Sequence, residues 1–286
     1  MTCSLRAIAA AVFALTAIEV GAQPVLLQIR PRIGDTLSVW MTQKVEMTGT
    51  PAECATSMSD SRRGSKNQAR PDICAAQPRT MTNVSEVFSR AIMHKGWRGG
   101  TTVLALTDSI RTSTSAGGGK LSKPVRVRGR DNAYELRVSN DGGAEVVNEN
   151  ASAELRAMFG QMPATLSRKP VSEGDTWTRQ MRLPIAGEAG AYGLVKATFQ
   201  LDSLGRNGDM AYISMRGTLT HDHKDGGDSE MEGSITGSIQ LDRRLAWITE
   251  TRAVIDVTSV VQPSTGGSPM RVRTKITQLL RAGAAR

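Results

Sequence analysis

Polar and apolar residues alternate with a period of two along most of the chain. From Leu37 to Met47 the odd positions read Leu37, Val39, Met41, Gln43, Val45 and Met47, and the even ones Ser38, Trp40, Thr42, Lys44 and Glu46. The cleanest stripe sets Met231, Gly233, Ile235, Gly237, Ile239 and Leu241 against Glu230, Glu232, Ser234, Thr236, Ser238 and Gln240. Further stripes run through Val195-Ala197-Phe199-Leu201, Ala211-Ile213-Met215-Gly217-Leu219, Trp247-Ala253-Ile255-Val257 and Met270-Val272-Thr274-Ile276, the last backed by Arg271, Arg273 and Lys275. Successive side chains of a strand point to opposite faces. Each stripe therefore predicts a strand with one dry and one wet face, as in an antiparallel sheet.

Turn-forming residues punctuate these strands. Ser139-Asn140-Asp141-Gly142-Gly143 joins Ala133–Val138 to Ala144–Val147 as a tight hairpin. Gly205 to Asp209, His221 to Asp228 and Leu241 to Leu245 make further connections, and the Gly/Ser tracts Ser113–Gly119 and Ser264–Ser268 read as loop tips. Short turns between consecutive strands predict a meander of roughly ten strands. One segment breaks the pattern: Ala151 to Gly160 is rich in helix formers and puts Leu155, Met158 and Phe159 on one face, ending at Gly160 and Pro163. A single short helix cannot cover so many strands. The expected fold is a mainly β, antiparallel meander curled into a half-open barrel with one short amphipathic helix, the alternative being a β-sandwich.

Two features of the dry face suggest a hollow. Gly217, Gly233 and Gly237 intrude on it, allowing tight curvature and leaving room. Methionine is frequent, at 13 residues, and flexible thioethers adapt to irregular apolar ligands, although they also serve as ordinary core. The expected cavity lining is Met41, Met47, Phe199, Met215, Met231, Ile235, Trp247 and Met270.

The first residues set the expected compartment. Arg6 precedes an apolar run, Ala7 to Val20, and Val20-Gly21-Ala22 supplies small residues for cleavage. This reads as a signal peptide over 1–22 and a mature chain of 23–286 forming one β-domain, periplasmic or secreted and not membrane-spanning. Removing the leader takes one base and one acid and leaves the net charge at +9. That excess favours an anionic envelope surface as partner; nucleic acid is disfavoured by export and by an aromatic content of only 4%. Cys54 and Cys74 remain after export and are expected to pair, closing a polar, basic surface insert at about 50–79 and contributing about 3 kcal/mol.

The order of an exported leader, strands, an amphipathic helix, the run Pro170-Val171-Ser172-Glu173-Gly174-Asp175-Thr176-Trp177 and then meander strands resembles uncharacterised exported bacterial β-proteins. These are similar to periplasmic lipoprotein carriers of the Lol type. The likeness spans most of the mature chain, with Gly174-Asp175-Thr176-Trp177 as its local motif. It implies an unclosed barrel with a helical lid over an apolar hollow, and it carries no functional residue across. The insert between Cys54 and Cys74 departs from that pattern. Within the chain, Gly34-Asp35-Thr36-Leu37 echoes the same motif.

Catalytic signatures are missing from the sequence: it holds no Gly-x-Ser-x-Gly elbow, phosphate loop, dinucleotide fingerprint or His-Glu-x-x-His. Of three histidines, His221 and His223 could share zinc with Asp225 or Asp228, but the segment also fits a solvated strand end. His94 reads as a strand-end residue, and Glu230 and Glu232 as a polar face. The expected protein is non-enzymatic, without metal or cofactor, and binds a hydrophobic small molecule, lipid or acylated partner. The alternative is an envelope protein docking through the basic rows Arg126-Arg128-Arg130 and Arg271-Arg273-Lys275.

Overall fold

The structure, a computed structural model, describes residues 23–51, 79–128, 133–147, 164–184, 192–221, 231–261 and 269–285. The strands are β1 (Thr36–Pro51), β2 (Arg79–Trp97), β3 (Gly100–Ala116), β4 (Val125–Arg128), β5 (Ala133–Ser139) and β6 (Ala144–Val146). They continue with β7 (Thr176–Pro184), β8 (Tyr192–Gly205), β9 (Met210–His221), β10 (Met231–Asp242), β11 (Trp247–Val261) and β12 (Met270–Ala284). All belong to one 12-stranded antiparallel sheet in the order β6-β5-β3-β2-β1-β12-β11-β10-β9-β8-β7, with β4 also pairing β3. The expected curled, unclosed meander is what forms, in place of a sandwich. The expected helix over 151–160 and the Cys54–Cys74 bridge lie outside the described residues.

Two meanders meet at the centre of this sheet, where β1 pairs with β12 over their whole lengths. Each meander starts with the same device. Gly34 and Gly174 have φ of 91° and 88°, a left-handed conformation that glycine adopts without a Cβ clash. Gly34 donates to the Met93 carbonyl while Met93 donates to that of Asp35; Gly174 and Leu201 repeat this with Asp175. The neighbouring strand is bulged just beyond each contact, between Met93 and Lys95 and between Leu201 and Ser203. The echo between the two Gly-Asp-Thr runs is therefore structural.

Glycines in β9 and β10 lie tight against the neighbouring strands. A Cβ on Gly217 would fall 2.6 Å from the Lys196 carbonyl oxygen, and one on Gly233 2.6 Å from that of Asp256. These glycines leave no room. Ile235 and Met215 press into the places vacated, 2.9 Å from the missing Cβ of Gly217 and Gly237 respectively.

The base of the curl is closed by two segments outside the sheet. Val25 and Val171 pair as an isolated bridge. Ile29 donates to the Asn140 carbonyl, Arg30 to that of Ala246 and Leu166 to that of Asp141. Leu27, Ile29, Leu166 and Val171 are buried among Phe199, Leu201, Ile213, Ile239 and Leu241. The core therefore fills the basal half, at the end of the tight turns 98–99, 140–143, 205–209 and 243–246. In the first of the Gly/Ser tracts, Ser113 to Ala116 complete β3 and only the glycines turn.

Candidate functional site

Above the core, β2, β1, β12 and β11 continue for many residues as a sheet whose inner side chains are mostly half-buried and whose outer ones are half-buried or exposed. Register fixes what shares a row on the inner face. One row runs Ile110, Val87, Met41, Leu280; four residues higher along the strands comes Asn83, Val45, Ile276, Ile255, which meets buried Ile235 at the margin of the core; two residues beyond is Met81, Met47, Thr274, Val257, Gly233. Met41, Val45, Met47, Val87, Ile110, Val272, Ile276 and Leu280 lie outside the buried cluster. Interleaved with them are Gln43, Gln278, Ser85 and Thr112, which form one polar row, where the Gln278 amide donates to the Met41 sulfur at 3.3 Å. The rim half thus presents a mainly apolar surface crossed by one fully polar row, with Asn83 and Thr274 as further polar positions.

The eight expected lining residues divide between two environments. Phe199, Met215 and Ile235 are buried in the basal core, where Phe199 stacks on Trp177 with ring centroids 5.8 Å apart. Met231 packs at the margin of that core, its methyl above Gly193. Met41, Met47 and Met270 stand on the rim-half inner face; Met270 reaches over Gly49, filling the gap this glycine leaves beside Met47. Trp247 does not share the stripe of Ala253 and Ile255. A bulge between Gln240 and Leu241 puts Ile248 opposite buried Leu241 and Trp247 opposite Asp242. Reading by spacing missed Val87, Ile110 and Met81 altogether, because β2 and β3 intersperse them with serine and threonine.

On the outer face the same strands carry interlocking charges. Arg273 binds Asp256 with two hydrogen bonds of 2.9 and 2.5 Å, and Glu250 accepts from Arg252 at 2.6 Å and Arg281 at 2.9 Å. Those arginines hold both carboxyls below the usual range. Arg281 also lies over the Trp40 ring and Arg111 over Phe88. The row Arg271-Arg273-Lys275 does lie outward, as expected, but Arg273 is spent on Asp256 and Lys275 stands in register with Glu46 and Asp256. This weakens the outer face as a docking surface for anions.

An ionic staple centred on the buried Asp141 carboxylate joins the two free edges of the sheet. Asp141, in the β5–β6 turn, accepts from the Ser139 hydroxyl at 2.6 Å and Arg168 Nε at 2.7 Å, with an Arg179 nitrogen of β7 at 3.8 Å. Burial alone would raise its carboxyl; the Ser139 hydroxyl and the two guanidiniums outweigh that and hold it below the ordinary carboxylate range. Arg179 also donates to the Leu166 carbonyl, and Trp177 Nε1 to that of Thr165 at 2.8 Å.

Two hollows among the described residues are basal and polar. One, of about 460 Å³, is lined by Arg32, Asp35, Arg206, Asp209, Asp242 and Arg244 among others; the second, of about 310 Å³, lies between Leu26, Gly99, Asn140 and Arg168. No cluster of three metal-ligating side chains occurs among the described residues. His221 is buried at the end of β9, and His223, Asp225 and Asp228 lie outside the described residues. His94 is the exposed extra residue of a bulge in β2. No helix among the described residues is long and apolar enough to cross a membrane.

Among solved structures, the chain is similar to a lipovitellin structure described by its lipid–protein interactions, at 8% identity and a TM-score of 0.48. That match covers 89% of this chain and 26% of lipovitellin, so the chain spans about a quarter of its length. An outer-membrane channel from Pseudomonas putida F1 matches at 7% identity and a TM-score of 0.25, over 92% of this chain and 98% of that one. No curated protein matches the sequence. Residues 144–248, the stretch from β6 to the start of β11, match a family of unknown function (DUF6263).

Proposed function

We propose that the protein is an exported, non-enzymatic binder that holds a long apolar chain, either a lipid or the acyl group of a partner, against the inner face of its rim half. The observation that supports this most is the asymmetry of that half. Its inner rows carry Met41, Val45, Met47, Val87, Ile110, Ile276 and Leu280, while its outer rows carry the ion pairs. From Met41 to Pro51, β1 continues for about 33 Å at strand rise. One leaflet of hydrocarbon is about 15 Å deep, half the thickness of a bilayer core, so the surface is long enough for an extended acyl chain. Removing a half-exposed aliphatic side chain from water contributes about 1 kcal/mol, and the methionines adapt to the contour of the ligand.

The test is extraction and mass spectrometry of protein purified from its native host, followed by titration of the delipidated chain with a long-chain fatty acid. Co-purifying lipid and saturable, salt-indifferent binding are expected. Ile276→Asp, which puts a charge in the middle of the apolar rows, should weaken binding at least tenfold and leave the basal core folded. A chain that carries no lipid and takes up none overturns the reading.

A further inference from the structure

The closed end of the curl has a character that the ligand site does not use. Leu26, Ile33 and Trp97 are 41%, 54% and 43% exposed there. They neighbour one another through the turn between β2 and β3. Ile33 reaches to 3.7 Å from the Cβ position of Gly96, Trp97 folds back over Gly99, and Gly99 shares a hollow with Leu26. Their places in the structure are fixed by the backbone bonds of the basal strap: Gly34 to Met93, Ile29 to Asn140 and Asn140 to Gly99.

The segments and turns at this end also carry exposed bases: Arg30, Arg32, Lys95, Arg98, Lys169 and Arg206. None of the six makes an ion pair among the described residues, in contrast to Arg252, Arg273 and Arg281 on the outer face. Arg137, which is paired with Glu145, lies over the Trp97 ring at 5.6 Å. Asp35 shares a hollow with Arg32 and Arg206 without forming an ion pair among the described residues, and three further carboxylates at this end are engaged. Asp141 holds Arg168; Asp242 accepts from the backbone N–H groups of Arg244 and Leu245; Arg244 lies 3.9 Å from Asp209.

We propose that this basal surface docks on an anionic lipid bilayer, with Trp97, Ile33 and Leu26 entering the interface and the six unpaired bases meeting lipid phosphates. An indole beside aliphatic side chains suits the boundary between headgroups and acyl chains. Juxtaposed Lys and Arg gain from the negative surface potential only while close to it, and these residues crowd one end of the molecule. Docking by the base leaves the apolar inner face pointing away from that membrane. The proposal does not depend on the acyl-chain reading.

The full mature chain is tested by flotation with vesicles of pure phosphatidylcholine and of equimolar phosphatidylcholine and phosphatidylglycerol. Binding to the second only, weakening as salt rises, is expected. The triple variant Arg30→Gln, Arg32→Gln, Arg98→Gln removes three exposed charges and should lower affinity on the order of a hundredfold, at about 1 kcal/mol per base. Trp97→Ser should abolish the blue shift of tryptophan emission on vesicle addition. Lys120→Gln with Arg126→Gln, two bases at the rim, should leave affinity unchanged. Equal binding to both vesicles, or loss with the rim pair and not with the basal triple, overturns the proposal. Ile276→Asp separates the two sites: it removes fatty-acid binding in the acyl-chain reading and leaves flotation intact.

Discussion

At the scale of single residues, the glycines and aromatics of the basal half decide how tightly the sheet curls. Gly237 lies against the Arg252 carbonyl and the Met215 methyl, so Gly237→Ala forces a backbone shift and is expected to destabilise by about 1–3 kcal/mol. Phe199 is fully buried and stacked on Trp177; Phe199→Ala should cost about 3–5 kcal/mol through lost burial and a cavity. Denaturant midpoints of the two variants, compared with wild type at unchanged m-value, check both figures. The dry stripe of β10 was legible in the sequence residue by residue, because nothing interrupts Ile235, Ile239 and Leu241 facing inward. Trp247 falls out of phase with Ala253 and Ile255, yet still packs against the core, because one extra residue in β11 reverses parity, and a bulge leaves no mark in a period-two pattern. The glycines do not leave the empty space expected of them: neighbouring backbone and side chains close over each missing Cβ.

At the scale of elements, β2 and β3 escaped detection even though they are the longest strands. Their inner faces mix Met81, Val87, Met93 and Ile110 with Ser85, Ser89 and Thr112, so hydrophobicity alone shows no stripe; β-branched threonines were the available signal. The basal strap was missed for another reason. Val25, Leu27 and Ile29 do alternate, yet their partners are Val171, Asn140 and Leu166, far along the chain. The staple that completes the base depends on the charge of Asp141. A carboxyl whose folded pKa lies below its unfolded value of about 3.9 stabilises at every pH above that value, and the contribution is lost as pH falls through the folded pKa. The same sign holds for Glu250 and Asp256. Wild-type protein should therefore keep its thermal midpoint through mildly acidic pH and lose it only below about pH 4. Asp141→Asn, which leaves Arg179 without its anion, should lower stability at neutral pH by about 2 kcal/mol and flatten the acid limb of a midpoint-against-pH curve. An unchanged acid limb would place the pH response elsewhere, at Glu250 and Asp256.

At the scale of the whole molecule, one continuous sheet is divided into two regimes by what lies against its inner face. In the basal half the strap and the 164–171 segment cover that face, and β8 to β10 alternate between buried and exposed positions along their lengths. In the rim half, β1, β2, β11 and β12 keep their pairing, but their inner side chains are mostly only half-buried and their outer ones half-buried or exposed. Strands with few buried apolar contacts open locally at lower free energy than core strands. Hydrogen exchange should grade accordingly along single strands: amides of Leu37 and Val39 protected, those of Val45 and Met47 exchanging faster, and the same gradient from Leu280 to Val272 in β12. An apolar ligand that binds only the folded rim adds RT ln(1 + [L]/Kd) to its opening free energy, about 2.7 kcal/mol at a hundred times Kd. Saturating fatty acid should thus slow exchange in the rim half about a hundredfold. Amides of β8 to β10 near Phe199, Ile213 and Ile239 should be little affected, since they already exchange through larger openings. Protection that instead rises uniformly, or only at the basal turns, would place the ligand away from the inner rows and sever the link between the uncovered face and its proposed occupant.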